Sequence, residues 1–200
     1  MCNSYRVDRV GRSKLSADTP ESVARLLEGE IERLIRPTLS APVLLADGSA
    51  EMMRWRFWRA FNRSINNTRS DKLHTPMWAG AFEARRCLIP LASFFEYTGP
   101  TGHKQAHEFT AADDGMLWCA GIWEENETHG RCFSMIMTDA NPFVSVIHKR
   151  MPALLPYEST PAYLLGGSEA FLPAAVDLAV ADVANPLKKQ PPSEQQPKLF

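Results

Sequence analysis

One amphipathic helix is the clearest element that the hydrophobic pattern predicts. It starts at Thr19-Pro20-Glu21, which offers a capping hydroxyl, a proline at the first helical position and an acidic side chain. Apolar residues then recur at helical spacing, at Val23, Leu26, Leu27, Ile31, Leu34 and Ile35. Pro37 ends the run. We therefore expect a scaffold helix that reaches Ile35 and packs its apolar stripe on the core.

After this helix the apolar positions alternate over short segments, as they do in strands. Met53, Trp55 and Phe57 are predicted to point inward, with Arg54 and Arg56 outward. Further strands, separated by Gly and Pro turns, are expected at 42–46, 87–89, 92–97, 107–110, 116–123 and 132–138. Short helices are expected at 79–85 and at 141–147, the second capped by Asn141. The pattern predicts an α+β fold, mainly an antiparallel β barrel or sandwich with flanking helices.

Composition predicts one globular domain followed by a tail. The chain has 200 residues, of which 44% are apolar and 22% charged, enough for a sizeable core. We place the domain at residues 1–185 and a disordered tail at 186–200, because the tail is polar and rich in Pro and Gln. No run approaches the roughly 18 apolar residues of a membrane helix, and no signal peptide follows Met1. We expect a cytoplasmic, nucleoid-associated protein without a membrane partner.

The cysteine and histidine pattern predicts neither a metal site nor a cofactor. The four cysteines form no CxxC pair, and the histidines do not have zinc-finger spacing. Cys87, Cys119 and Cys132 stand in apolar surroundings and are expected to be buried thiols in a reducing compartment.

The charge distribution is uneven although the net charge is only −1. Basic residues outnumber acidic ones between residues 51 and 90, and they alternate there with Trp55, Phe57, Trp58 and Phe61. Such a surface suits single-stranded nucleic acid, which offers phosphates and flat rings. The alternative is a solvated basic face above core aromatics. The pattern alone leaves both interpretations open.

Cys2 stands out because Met1 is normally removed ahead of a small residue. The mature chain would then begin with a cysteine that has a free α-amine next to its thiol. The amine titrates near pH ~7.7–8.0 and the thiol near ~8.5. Such a pair can condense with an aldehyde to an imine and then close a thiazolidine ring, which no internal cysteine can do.

Three further segments carry residue types suited to chemistry. Asn67 precedes a charged stretch after the basic–aromatic strand. Glu96 follows two phenylalanines, and a carboxyl among apolar neighbours has a raised pKa and can act as acid or base. His148 precedes Lys149 and Arg150, whose charge favours a neutral imidazole.

Together with Cys2 these segments resemble the SRAP (SOS-response-associated peptidase) family, whose members cross-link abasic sites in single-stranded DNA. The resemblance spans residues 1–152 and is carried by motifs in a fixed order: Met1-Cys2, Asn67-Thr68-Arg69-Ser70-Asp71, Arg85-Arg86-Cys87-Leu88-Ile89-Pro90, Ser93-Phe94-Phe95-Glu96-Tyr97 and His148-Lys149-Arg150-Met151-Pro152. It implies the SRAP fold.

The resemblance also implies four catalytic residues. Cys2 would be the nucleophile that forms the thiazolidine. Glu96 would move protons during imine formation and ring closure, and His148 would orient or protonate the sugar oxygen. Asn67 would hold the Cys2 amine and the sugar by hydrogen bonds.

The DNA-binding residues implied by the resemblance surround this set. Arg69 and Arg150 match positions that grip phosphates, Thr138 adds a hydroxyl, and Tyr97 offers a ring for stacking. Arg54 and Trp55, in the basic–aromatic strand, are expected to add DNA contacts.

This chain departs from the family pattern at several of these positions. Ser4 stands where an arginine is usual, Arg56 replaces a glycine, Asp71 replaces a glutamate, and Tyr97 replaces a tryptophan. Ser4 removes an expected phosphate contact, and Arg6 is the candidate substitute because it shares a face with Ser4 on an extended segment.

We therefore expect an enzyme with abasic-site cross-linking, lyase-like activity that protects the lesion. The alternatives are a cysteine peptidase that removes its own Met1 and a non-covalent binder of single-stranded DNA. The end of the tail resembles a peptide by which bacterial repair proteins bind the sliding clamp, through Gln196, Leu199 and Phe200.

Overall fold

The computed structural model describes residues 2–8, 19–29, 33–59, 62–167 and 176–188. Its strands are β1 (Tyr5–Arg6), β2 (Leu34–Ile35), β3 (Ser40–Leu45), β4 (Ala50–Trp55), β5 (Phe57–Arg59), β6 (Asn62–Ile65), β7 (Asn67–Arg69), β8 (Arg86–Leu91), β9 (Ser93–Thr98), β10 (Gln105–Ala111), β11 (Leu117–Asn126), β12 (Gly130–Asp139), β13 (Arg150–Pro152), β14 (Leu154–Leu155) and β15 (Leu178–Val183). Its α-helices are α1 (Glu21–Glu28), α2 (Ala79–Ala84), α3 (Pro142–Ser145) and α4 (Thr160–Leu164).

A closed barrel forms the centre of the fold. Its five strands follow the order β12, β4, β3, β8, β11 and return to β12. The β12–β4 contact is parallel, and the other contacts around the ring are antiparallel. Strands β7 and β13 add to β12, and β14 adds to β11. The predicted α+β class with a mainly antiparallel barrel is confirmed.

A second sheet packs beside the barrel in the order β15, β10, β9, β1, β2. Its core includes the stacked rings of Phe94 and Phe109, whose centroids are 4.9 Å apart. The N-terminal segment belongs to this sheet, because the Phe95 N–H donates to the Ser4 carbonyl at 3.1 Å. The chain therefore enters at the junction between the second sheet and the barrel.

The predicted first helix is shorter than expected. Helix α1 ends at Glu28, and Leu34 and Ile35 instead form β2, which pairs with β1. The Arg33 guanidinium donates to the Leu27 and Gly29 carbonyls at 2.6 and 3.1 Å, and so satisfies the helix end. The start of α1 also differs from the prediction. Pro20, and not Thr19, occupies the N-cap position, and no side chain caps the helix.

The strand predictions place most of the sheet correctly, with shifted ends. The expected strand at 53–57 is two strands, because β4 ends at Trp55 and β5 begins at Phe57. The inward positions Met53, Trp55 and Phe57 are confirmed, since all three are fully buried. The Asn141 cap is confirmed as well, because its side chain accepts the Val144 N–H at 2.9 Å.

Two further findings concern the membrane and the tail. Within the described ranges, the structure contains no helix with the length and apolar character needed to cross a bilayer. Gln196, Leu199 and Phe200 lie outside the described residues, so the clamp-binding peptide stays a prediction, as does the domain boundary at residue 185.

Candidate active site at the junction of the two sheets

Cys2 lies fully buried between the barrel and the second sheet. On the barrel side, Asn67 Nδ2 donates to the Cys2 carbonyl at 2.7 Å. On the other side, the Cys2 thiol donates to the Ser4 carbonyl at 3.3 Å. Burial raises the pKa of the thiol far above its usual range, and the charge of Glu96 raises it further. The thiol is therefore protonated at neutral pH.

Glu96 is the buried carboxyl of the site. It lies on β9, and only 1% of its surface is exposed. Burial raises its pKa from 4.5 to about 7, because the charged form loses its hydration. A group with this pKa exchanges protons readily at neutral pH, which suits general acid–base catalysis.

His148 lies opposite Glu96 across the junction. Its Nδ1 is 4.0 Å from Glu96 Oε1. The Arg150 N–H donates to the same nitrogen at 3.0 Å, so the backbone of β13 holds the ring. Burial is the largest cause of a lowered His148 pKa, and Lys149 contributes less. The neutral imidazole expected from the sequence is thus favoured, although burial and not the neighbouring charges is the main reason.

Two of the departures from the family pattern contact each other. The Ser4 and Tyr97 hydroxyls are 2.7 Å apart and share a hydrogen bond. Ser4 is fully buried, so it faces the site interior and not solvent. Arg6, the candidate substitute for the missing arginine, is 3.3 Å from Glu108 instead. The hydrogen bond between Ser4 and Tyr97 holds the phenol ring of Tyr97 against the N-terminal segment.

A cleft of about 410 Å³ opens beside these residues. Its inner part is lined by Glu96, Tyr97 and His148, and its remaining lining residues are Asn3, Lys104, Asn185 and Leu187. The cleft therefore gives a ligand access to Glu96, whose pKa is raised, and to His148, whose pKa is lowered.

Two arginines lie at the barrel side of the site and are held by acids. Arg69 donates through Nε and Nη2 to the Asp71 carboxylate at 2.8 and 2.6 Å. Arg150 lies 3.6 Å from Asp71 and 3.5 Å from Asp139. The acids orient both guanidinium groups, and an incoming phosphate would have to compete with these carboxylates.

The structure does not bring two of the predicted DNA contacts, Trp55 and Arg54, to this site. Trp55 is fully buried in the barrel, where its Nε1 donates to the Asn66 carbonyl at 2.7 Å, so its ring is unavailable to a base. Arg54 pairs with Cys132, while Arg69 pairs with Met137, about 16 Å further along β12. Thr138, by contrast, lies on β12 between Met137, which pairs with Arg69, and Asp139, which pairs with Arg150, so it belongs to the barrel side of the site although it is only 3% exposed.

Several site residues carried no signal in the sequence. Lys104, Asn185 and Leu187 line the cleft but belong to no motif. Tyr5 is fully buried, and burial is the main cause of its raised pKa. Its hydroxyl has no hydrogen-bond partner among the described residues. Contacts between distant segments reveal these residues, and spacing along the chain does not.

Comparison with known proteins agrees with this architecture. A family model for SOS response associated peptidases (SRAP) matches residues 1–186. The chain is similar to an abasic site processing protein of Saccharomyces cerevisiae, with 28% identity over 137 residues. That match covers 60% of this chain and 36% of the yeast protein, so the chain spans well under half of that relative's length.

Solved structures share the fold. A protein from Bordetella bronchiseptica has a TM-score of 0.71 and 21% identity, with 92% of this chain and 100% of that chain covered. A protein from Bacteroides thetaiotaomicron has a TM-score of 0.69 and 18% identity, with 92% and 93% covered. These likenesses concern the fold alone. Because the family model covers nearly the whole sequence, this chain belongs to the SRAP family.

Proposed function

We propose that this protein binds abasic sites in single-stranded DNA and joins them covalently through Cys2, in the form of a thiazolidine. The observation that carries the proposal is the position of Cys2, which is held by Asn67 on one side and influenced by the Glu96 carboxyl on the other. The similarity to the yeast abasic site processing protein supports the choice of lesion.

The reaction starts once Met1 is removed. An abasic sugar in its open form has an aldehyde, which the Cys2 amine attacks to form an imine with loss of one water. The thiol then adds to the carbon of the C=N bond, and its proton goes to the nitrogen. Ring closure consumes the imine, so the strand no longer breaks by β-elimination from it.

Glu96 is suited to moving the protons in these steps. Its pKa of about 7 allows it to accept a proton from the attacking group and return it to the leaving water. A buried thiol with a raised pKa depends on such a base, because it does not ionise alone. His148, favoured as neutral by its lowered pKa, hydrogen-bonds the sugar oxygen while the ring opens.

Asn67 holds the nucleophile and the sugar. Its Nδ2 already donates to the Cys2 carbonyl, while its buried Oδ1 has no partner among the described residues. Such an acceptor matches the freed Cys2 amine or a sugar hydroxyl. Arg69 and Arg150 bind the phosphates next to the lesion, in place of their present contacts with Asp71.

The environment of Cys2 favours this chemistry over that of a cysteine peptidase. A peptidase needs a thiolate stabilised by a nearby imidazolium, which lowers the thiol pKa. Here the Cys2 pKa is raised and the His148 pKa is lowered, both mainly by burial.

A denaturing gel tests the proposal. Wild-type protein, incubated with single-stranded DNA that contains an abasic site, is expected to give a slower band that survives denaturation. Cys2→Ala removes that band, while Cys132→Ala, which deletes another buried thiol, keeps it. Cys2→Ser leaves only a labile imine, because a hydroxyl closes the ring poorly.

The alternatives predict different results. If the protein cleaves a peptide substrate and gives no shifted band, the cysteine peptidase is the correct function and the cross-linking proposal is wrong. The absence of a denaturation-resistant band, together with a native-gel shift that Cys2→Ala leaves unchanged, would favour a non-covalent DNA binder in which Cys2 is incidental. The intact mass of the purified protein, which should lack Met1, checks the first step independently.

A further inference from the structure

The cleft extends beyond Glu96 and His148 to a wall that the proposed chemistry does not use. This outer wall consists of Lys104, Asn185 and Leu187. Lys104 is exposed and has no ion pair with any residue that the structure describes. Leu187 is 39% exposed although it is a large apolar residue. A cation, an amide and an apolar side chain thus line the same cleft as the catalytic carboxyl.

The second sheet brings these distant residues together. Ala106 on β10 pairs with Tyr97 on β9 and with Val183 on β15. The residues just before β10 and just after β15 therefore lie at the same end of the sheet, next to Tyr97. Gln105 Nε2 also donates to the Val183 carbonyl at 3.1 Å, which ties the two segments.

The outer wall is preformed by two tight turns. Gly99 leads into the loop before Lys104 with a φ of 87°, and a Cβ there would lie 2.8 Å from the His103 carbonyl oxygen. Asn185 Oδ1 accepts the Leu187 N–H at 2.9 Å, and the Lys188 N–H donates to the Asn185 carbonyl at 3.1 Å. The second turn keeps Leu187 at the cleft with part of its side chain uncovered.

Cations therefore lie on both sides of the catalytic groups. Arg69 and Arg150 stand on the barrel side, and Lys104 stands on the side of the second sheet. A single strand that places its sugar beside Glu96 and His148 carries phosphates in both directions. The charge pattern fits such a strand, because each direction offers a cation to a phosphate.

We propose that the outer wall is a binding subsite for the nucleotide that follows the lesion on the side away from Arg69 and Arg150. Lys104 pairs with its phosphate, Leu187 packs on its base, and Asn185 holds the turn that presents Leu187. This subsite rests on the proposed function, since the lesion defines the position of the strand.

Non-covalent binding of an unreactive lesion tests the subsite. The probes are short single-stranded oligonucleotides with a tetrahydrofuran abasic analogue, which has no aldehyde, at the centre, at the 5′ end or at the 3′ end. Fluorescence anisotropy at several salt concentrations gives affinities for the wild type, Lys104→Ala, Leu187→Ala and Arg69→Ala. Arg25→Ala is the control, because it removes an exposed charge on α1.

Lys104→Ala is expected to weaken binding of the central lesion about fivefold and to lower the slope of log K against log salt by about 0.7. It should affect only one of the two end-lesion probes, and Arg69→Ala should affect only the other. Leu187→Ala should weaken the same probes as Lys104→Ala without changing the salt slope, because it removes no charge.

Two results would overturn the subsite. One is a Lys104→Ala variant that binds all probes as well as Arg25→Ala does. The other is a loss in Lys104→Ala and Arg69→Ala on the same end-lesion probe. The proposed function fails separately if the wild type binds the analogue with this two-sided pattern but never cross-links a true abasic site. Wild-type protein that binds no probe would overturn both.

Discussion

Burial sets the protonation states of the residues at the candidate site. It raises the pKa of Cys2 and Glu96 and lowers that of His148, so each group favours its neutral form. A protonated thiol, a carboxyl near half-ionisation and a neutral imidazole can exchange protons at neutral pH. The apolar residues before Glu96 indicated its raised pKa in the sequence, and this prediction is confirmed.

Replacing Glu96 by Gln should change how stability depends on pH. The folded-state pKa of about 7 exceeds the ordinary value of 4.5, so the fold favours the protonated carboxyl. That stabilisation is complete below pH 4.5 and is lost as the pH rises through 7. Relative to Glu96→Gln, the wild type should lose about 3 kcal/mol between pH 4 and pH 8. Urea denaturation at both pH values measures the difference.

The same variant has a kinetic consequence. If Glu96 is the base, wild-type cross-linking rises with pH through about 7, and Glu96→Gln lacks this inflection. In the urea experiment, a stability difference between wild type and Glu96→Gln that does not change with pH would contradict the raised pKa of Glu96.

At the scale of elements, close contact between strands restricts several positions that look ordinary in the sequence. Gly121 on β11 pairs with Cys87 on β8, and a Cβ at Gly121 would lie 2.8 Å from Ile89 Cδ1 and 3.0 Å from Cys87 Sγ. Arg86 next to them donates to the carbonyls of Phe82, Tyr163 and Gly167, and so ties α2 and the α4 region to the barrel. The arginine–arginine–cysteine motif is thus partly a scaffold.

Gly121→Ala is expected to destabilise the protein by about 1–3 kcal/mol, because the added methyl group overpacks the barrel wall. Gly80→Ala is the matched control. No atom lies within 4 Å of a Cβ at Gly80, which is in α2, so this change should stabilise by about 0.5–1 kcal/mol. Chemical denaturation of both variants checks the opposite signs. A neutral Gly121→Ala would mean that β8 and β11 can separate at little cost.

At the scale of the whole molecule, the N-terminal segment joins the barrel to the second sheet. Cys2 accepts a hydrogen bond from Asn67 on β7, and Ser4 accepts one from Phe95 on β9. All four cysteines are free and buried. The fold therefore protects the Cys2 thiol from bulk reagents while the adjacent cleft admits a ligand.

Thiol labelling of the native protein should consequently be slow. Ellman's reagent is expected to react with the four thiols only after denaturation, because burial raises their pKa values and blocks access. Cys2→Ala should behave alike in the native state and show one thiol fewer once unfolded. A thiol that reacts at once in native wild type but not in Cys2→Ala would contradict the burial of Cys2.

The sequence by itself determined the fold class, the alternation that buries Met53, Trp55 and Phe57, and the identity of Cys2, Glu96 and His148 as candidates. These follow from local periodicity and from chemistry carried by single residues. Only the tertiary structure decided that Leu34 and Ile35 pair as a strand, that Ser4 bonds to Tyr97, and that Lys104 and Leu187 line the same cleft. Each of these depends on contacts between segments far apart in the chain, and such contacts leave no periodic pattern to read.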